Sequence, residues 1–571
     1  MSSILQRRIG TAIVAIAVGI SALATVQRAR AIRTPPRNQR DETVVASIRA
    51  EPRSFNRYMA RDLSTAVLTY LMHGALVRIN RSTSALEPEL AERWEALPDG
   101  RTYRLHLRRH VRFSDGAAFS ADDVVFSFGA IYDPNVGSVL AETLQVRGEP
   151  LKVIAEDQFT VTIRFPAPFG AGLRMLDGVP IYPRHRLRTR IEEGSFRSAW
   201  GPATPPSDIA GLGPFVLRRY EPGQRLTFER NPHFWQRAAG LPALERMVLE
   251  IVPDQDAELL ELASGAIDVT QSALRPSDLA ALKTATAAGL VTLTDGGIGL
   301  DGDLLWVNQR PATNGGHQRP WLQHPALRQA IAHSVDRQAF IDTVYLGEAV
   351  PADSIISPGN RDWHIHAPFP AYDPAAARRA LRMAGLSDVN GGGFRDHAGV
   401  GARFTLLTQV GNTSLERGAA VIRNSLAAVG VEVDIVALET GALVDRIMGG
   451  DYDVAYFGLV TTDSDPALNL DFWLSSGGAH VWNPEQRVPA TSWESAVDRL
   501  MNRMAAAQDP ATRHALFADV QRIIAQQVPV LCFAFPRQQI ALATRIAGAT
   551  PTAFRPPVLW NAASLRLRTP Q

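Results

Sequence analysis

The stretch from Pro88 to Phe126, PELAERWEALPDGRTYRLHLRRHVRFSDGAAFSADDVVF, constrains the fold more than any other part of the chain. Leu90 and Trp94 lie four apart, a spacing that puts both on one face of a helix. Asp99-Gly100 signals a turn. Tyr103, Leu105 and Leu107 then alternate with polar residues, which predicts a half-buried strand over 102–108. Asp115-Gly116 makes a second turn, and Ser120 stands three residues before Asp123. That spacing is a variant of the capping box and predicts a helix opening at Ala121. The expected order is helix, turn, strand, turn, helix.

This stretch resembles the signature region of the family 5 solute-binding proteins of ABC importers, the peptide- and nickel-binding family. Members read close to LAxxWE…DGxTYxFxLRxxVxFxDGxPFxAxDVxFS. Leu90, Ala91, Trp94, Glu95, Asp99, Gly100, Thr102, Tyr103, Leu107, Arg108, Asp115, Gly116, Asp123 and Phe126 all match at fixed spacing. Residues 211–235, GLGPFVLRRYEPGQRLTFERNPHFW, are similar to a second family segment, GTGPFxLxxYxPGxxxxLxRNPxYW. Physically they form a hairpin, with Glu221-Pro222-Gly223 as its turn. Further likenesses over 325–349 and 372–386 extend the resemblance across about residues 42–560.

The resemblance implies an α/β chain with a two-lobed periplasmic-binding-protein-like fold (class II, cluster C) and an additional subdomain. The expected segments are a signal or anchor over 1–31, a Pro-rich linker over 32–41 and a first part of lobe I over 42–85. An extra subdomain over 86–206, lobe I again over 207–295, lobe II over 296–527 and a closing lobe I segment over 528–571 follow. Residues 201–213, rich in Gly, Pro and Ala, are expected to cross between lobes.

The formal charge of +2 rests on seven arginines in residues 1–40, which carry no acid, so the rest is net acidic by about five. That balance argues against a polyanion-binding body, and no nucleic-acid partner is expected. Arg7-Arg8, the apolar run 9–26 and the cleavage-like Ala22-Leu23-Ala24 read as a secretory signal. The same run just reaches membrane-spanning length, so an uncleaved anchor is the alternative. Export to the periplasm is expected. Cys532, the only cysteine, lies in the apolar run VPVLCFAF and is expected in the core.

Candidate ligand contacts follow from the resemblance. The loop 55–61 corresponds to a segment that reaches the cleft and nominates Tyr58 and Met59. Peptide-binding members pair the ligand backbone with a strand near a YDV…G motif, here Tyr452-Asp453-Val454 and Gly458. This nominates Gly458, Leu459, Val460, Thr461 and Thr462. Members often carry an aspartate four residues after that glycine, where it pairs with the ligand's ammonium. Thr462 stands there, with Asp463 next; a one-residue bulge lets Asp463 serve as the ligand contact, and without it the amine anchor is missing. Where some members carry Arg, two residues before the glycine, this chain has Tyr456. Trp306, Trp473 and Trp482 are expected near the cleft, as an aromatic wall or as core.

Several other patterns bear on the reading. Gly297-Ile-Gly299-Leu-Asp-Gly302 spells G-x-G-x-x-G, but a strand over 303–308 follows where a dinucleotide site needs a helix. No cofactor is expected. His364 and His366 are spaced as two metal ligands on one strand face would be, which keeps a metal chelate among the ligands considered. Asp463, Asp465 and Asp471 read as a capping loop, as paired carboxylates of a hydrolase, or as a cation site. G-x-S-x-G, H-E-x-x-H and the P-loop are absent from the sequence. The expected function is a non-enzymatic, monomeric binding protein. It takes a peptide or peptide-like solute and hands it to an ABC permease with its ATPase. Alternatives are a glycan, opine-like conjugate or metal chelate as ligand, and a secreted hydrolase.

Overall fold

A computed structural model describes residues 43–310, 320–388, 391–395, 399–459 and 465–568. The signal and linker expected over 1–41 lie outside the described residues, as do Val460, Thr461, Thr462 and Asp463.

Lobe I is built on a four-stranded sheet. Its first strand, Thr43–Ile48, is buried at every position, as a run of this composition must be when both faces are covered. It pairs in parallel with Arg246–Ile251, which is followed outward by the hairpin strands Arg225–Arg230 and Phe215–Glu221. Lobe II carries a five-stranded sheet in the order Glu432–Leu438, Arg403–Gln409, Val454–Leu459, Gly302–Val307, Val530–Cys532. The helix Thr413–Ala427 connects the parallel neighbours Arg403–Gln409 and Glu432–Leu438 as a β-α-β unit.

A third sheet joins the lobes. Ala534–Ala543 lies between Val291–Ile298 and Ala349–Pro351. Val291–Ile298 leads into lobe II and Ala534–Ala543 leads back, so two adjacent antiparallel strands form the crossover. The closing segment therefore begins later than residue 528, because Val530–Cys532 still pairs within the lobe II sheet. Residues 201–213 do not join the lobes either. They return from the subdomain to Phe215–Glu221 in lobe I. With these two changes, we propose the segment boundaries given above as the domain division.

The subdomain has its own sheet, ordered Ala91–Ala96, Thr102–Leu107, Thr160–Arg164, Lys152–Asp157. The helix Ala121–Tyr132 packs on it and opens where the capping box places it, with Asp123 accepting from the Ser120 N–H at 2.9 Å. The helix expected around Leu90 and Trp94 is instead the strand Ala91–Ala96. It pairs antiparallel with Thr102–Leu107 through the turn at Asp99-Gly100, where Gly100 adopts φ +67°. Two apolar residues four apart are too few to outweigh a neighbouring strand.

One continuous apolar core runs through both lobes and the subdomain. Among the described residues no helix is long and apolar enough to cross a membrane.

Candidate functional site

A cavity of about 850 Å³ opens between the lobes. Lobe I contributes Arg57, the first two turns of the helix Leu63–Met72, Arg81 and the segment 271–276, and the subdomain contributes Asp177, the partner of Arg81. Lobe II contributes Asp301, Asp303, Tyr345, Asn412 and Ser414, and the crossover strand contributes 536–540. Local sequence explains two of these positions. Asp62 caps the helix Leu63–Met72 by accepting from the Thr65 N–H at 2.9 Å. Asn412 caps Thr413–Ala427 by accepting from the Ser414 and Leu415 N–H groups, each at 3.2 Å. Both helices therefore start at the cavity wall.

The wall is strongly charged, and most of its charges are paired. Arg81 reaches Asp177 at 2.6 Å in a buried pair, and Arg275 reaches Asp278 at 2.8 Å. Lys283 meets Glu348 at 3.6 Å and Arg555 meets Asp301 at 3.1 Å, and both of these pairs cross the cleft. Two groups differ. Arg57 donates to the Ala60 carbonyl at 2.6 Å and has no carboxylate within ion-pair distance among the described residues; burial pulls its guanidinium below the ordinary arginine range. Asp303 accepts from the Tyr345 hydroxyl at 2.7 Å, and burial pushes its carboxyl above the usual carboxylate range. Between the charges stand the amides and hydroxyls of Thr69, Gln271, Ser272, Gln538 and Gln539.

The residues expected from sequence fall in three places. Tyr58 is fully buried, donates to the Pro180 carbonyl at 2.7 Å and packs at a tilt against Tyr182, while Met59 packs half-buried on the core. Neither lines the cavity; their neighbour Arg57 does. Trp306, Trp473 and Trp482 are each at most 1% exposed. They fill the lobe II core, with Trp473 and Trp482 set edge-on to Phe472; of the two places expected for them, cleft wall and core, they take the core. Tyr456, also buried, sits under the cavity with its hydroxyl beside Asp303. Gly458 and Leu459 end the strand Val454–Leu459 and pair with Asp303 and Gly302.

Asp303, Arg57 and Tyr345 are not among the contacts expected from sequence. The available signal is a lone acid interrupting the apolar strand GDLLWV. His364 and His366 do not act on a strand face; both contact Asp353, at 2.9 and 3.1 Å. Among the described residues no group of three or more His, Cys, Asp or Glu is arranged to hold a metal ion. Asp465 is taken by Arg513, at 2.6 and 2.8 Å, in a buried pair that accounts for it structurally.

Residues 85–480 match the family described as bacterial extracellular solute-binding proteins, family 5 (middle region). The chain belongs to this family. The binding protein is 27% identical over 534 residues to the probable ABC transporter periplasmic-binding protein SapA of Escherichia coli K12, covering 90% of each chain. It is 26% identical over 503 residues to di/tripeptide-binding protein 2 of Pseudomonas aeruginosa, covering 84% of this chain and 86% of that one. Its fold matches the crystal structure of the ABC transporter substrate-binding protein CtaP from Listeria monocytogenes. The TM-score is 0.76 at 21% identity, over 92% of this chain and 99% of that one.

Proposed function

We propose that this binding protein captures peptides, or similar amide-rich solutes, in the interlobe cavity and delivers them to an ABC permease and its ATPase. Capture is reversible and involves no bond making or breaking. The site of action is the periplasm, in keeping with the SapA relative, which is named as periplasmic. The observation that carries the reading is the cavity itself. At about 850 Å³ it falls within the roughly 300–1,000 Å³ of small-solute clefts. Its wall offers charges of both signs together with amide and hydroxyl groups.

A second feature supports an extended, amide-bearing ligand. The strand Val454–Leu459 pairs with Gly302–Val307 along its whole length, but with Arg403–Gln409 only at Val454 and Ala455. Among the described residues no strand pairs with that edge beyond Ala455, and polar main-chain groups there favour a hydrogen-bonding partner.

Native mass spectrometry of the protein purified from its own periplasm, followed by denaturation, tests this reading. Released short peptides are the expected result, and adding them back at a hundredfold excess over Kd should stabilise the fold by about 2.7 kcal/mol. Release of a glycan, an opine-like conjugate or a metal chelate would replace peptide as the ligand class. Hydrolysed fragments accumulating with time would revive the hydrolase.

A further inference from the structure

Asp303 is the second residue of the strand Gly302–Val307. Gly302 faces away from the cavity, and a Cβ there would stand 2.6 Å from Cys532 Sγ. Alternation along the strand therefore turns Asp303 toward the cavity that it lines. Its Oδ2 accepts from the Tyr345 hydroxyl at 2.7 Å, and the Tyr456 hydroxyl adjoins the same carboxylate. Tyr345 holds the group without bringing any charge to it, and the buried Tyr456 hydroxyl has no hydrogen-bond partner among the described residues.

Another acid, Asp301, acts on it in the same unfavourable sense, and Arg555 is already engaged with that acid at 3.1 Å. The buried Cys532 thiol also lies close and is itself pushed up by burial and by Asp303. Among the described residues no Arg, Lys or His forms an ion pair with Asp303. A carboxylate withdrawn from water and left without a cation is costly, and its fixed neighbours do not offset that cost. The other oxygen, Oδ1, is left approachable by a glycine. Gly458 lies directly across the sheet, and a Cβ on it would come within 3.4 Å of Oδ1.

We infer that Asp303, positioned by Tyr345, is the receptor for a cationic amine of the solute. The inference rests on the cavity being the solute site and on an amide-rich solute. It adds the ligand's charge and where that charge sits: an extended ligand paired along Phe457–Leu459 would bring its ammonium beside Gly458.

Two probes test it with the mature chain: an equimolar pool of random tri- to pentapeptides, and the same pool N-acetylated. Retained ligand is read by mass spectrometry. Wild type should retain the free-amine pool in preference to the acetylated one. Asp303→Asn should lower retention of the free-amine pool by about thirtyfold or more and erase the preference. Asp303→Glu keeps the charge and should restore part of it, which a merely structural role would not do. Equal retention of both pools by wild type overturns the role of Asp303 and leaves the peptide reading standing, whether or not the variants fold. Retention of neither pool overturns the peptide reading, and the inference with it.

Discussion

His73 shows what burial does to an ionisable side chain with no charged partner. It closes the helix Leu63–Met72, its N–H bonding the Thr69 carbonyl at 3.0 Å, and its ring stacks on Trp200 with Tyr182 at its edge. Burial lowers the imidazole from 6.5 to about 4. The native ring therefore stays neutral at pH values where the unfolded chain has taken up a proton. Between pH 6.5 and 4 the unfolded state binds more protons, so this residue's contribution to stability is lost as pH falls. The slope reaches about 1.4 kcal/mol per pH unit. Glu89, raised to about 8 by burial, acts in the opposite direction, as do the raised carboxyls of Asp123, Glu258 and Asp303. The informative quantity is thus the difference between wild type and His73→Phe. Urea unfolding at intervals from about pH 4 to pH 7 should show wild type losing stability faster on acidification than the variant. Parallel curves would mean that His73 is protonated in the fold.

At the scale of elements, the same substitution is expected to act in opposite directions at two glycines. Gly213 belongs to the GLGPF segment, and a Cβ there would lie 2.5 Å from the Met72 carbonyl carbon and 2.6 Å from the His73 nitrogen. Both are backbone atoms at the end of a packed helix, so they cannot give way as a flexible side chain could. Gly213→Ala should cost stability at the upper end of the roughly 1–3 kcal/mol typical of overpacking. Gly129 sits exposed inside the helix Ala121–Tyr132, and a Cβ added there would meet nothing within 4 Å. Gly129→Ala should add about 0.5–1 kcal/mol. Melting curves of the two variants against wild type check both signs, and a stable Gly213→Ala would show that the loop can move off the helix. The GLGPF segment is legible as a pattern, but its reason, contact with a helix end some 140 residues earlier, is tertiary. The capping box at Ser120 and the strand over 102–108 are legible because their causes are local. The strand Ala91–Ala96 escapes a local reading because its partner decides it. Sequence alone leaves the tryptophans between core and cleft wall, because an indole suits both. Asp303 is passed over because its strand reads as apolar core, and only the fold turns that one position to the cavity.

For the whole molecule, the question is what sets the relation of the two lobes. The covalent connection is narrow: two neighbouring strands, Val291–Ile298 and Ala534–Ala543, carry the chain across. Beyond it, Lys283–Glu348 and Arg555–Asp301 bridge the cleft, with the Lys283 and Arg555 side chains 67% and 62% exposed. Pairs this exposed contribute about 0–1 kcal/mol each and weaken with salt. They can bias closure but cannot lock it. A bound solute therefore has the stronger influence on closure, since contacts from both lobes form only around it. Replacing Lys283 and Arg555 together by Ala should leave the melting temperature of the free protein nearly unchanged. It should, however, increase the radius of gyration in small-angle scattering, as the lobes part. Retained peptides, added in excess, should return the variant to the compact radius of the liganded wild type, at reduced affinity. The opposite result is equally definite: a melting temperature lowered with no change in radius would make these pairs part of the fold's stability and place the control of closure in the crossover strands.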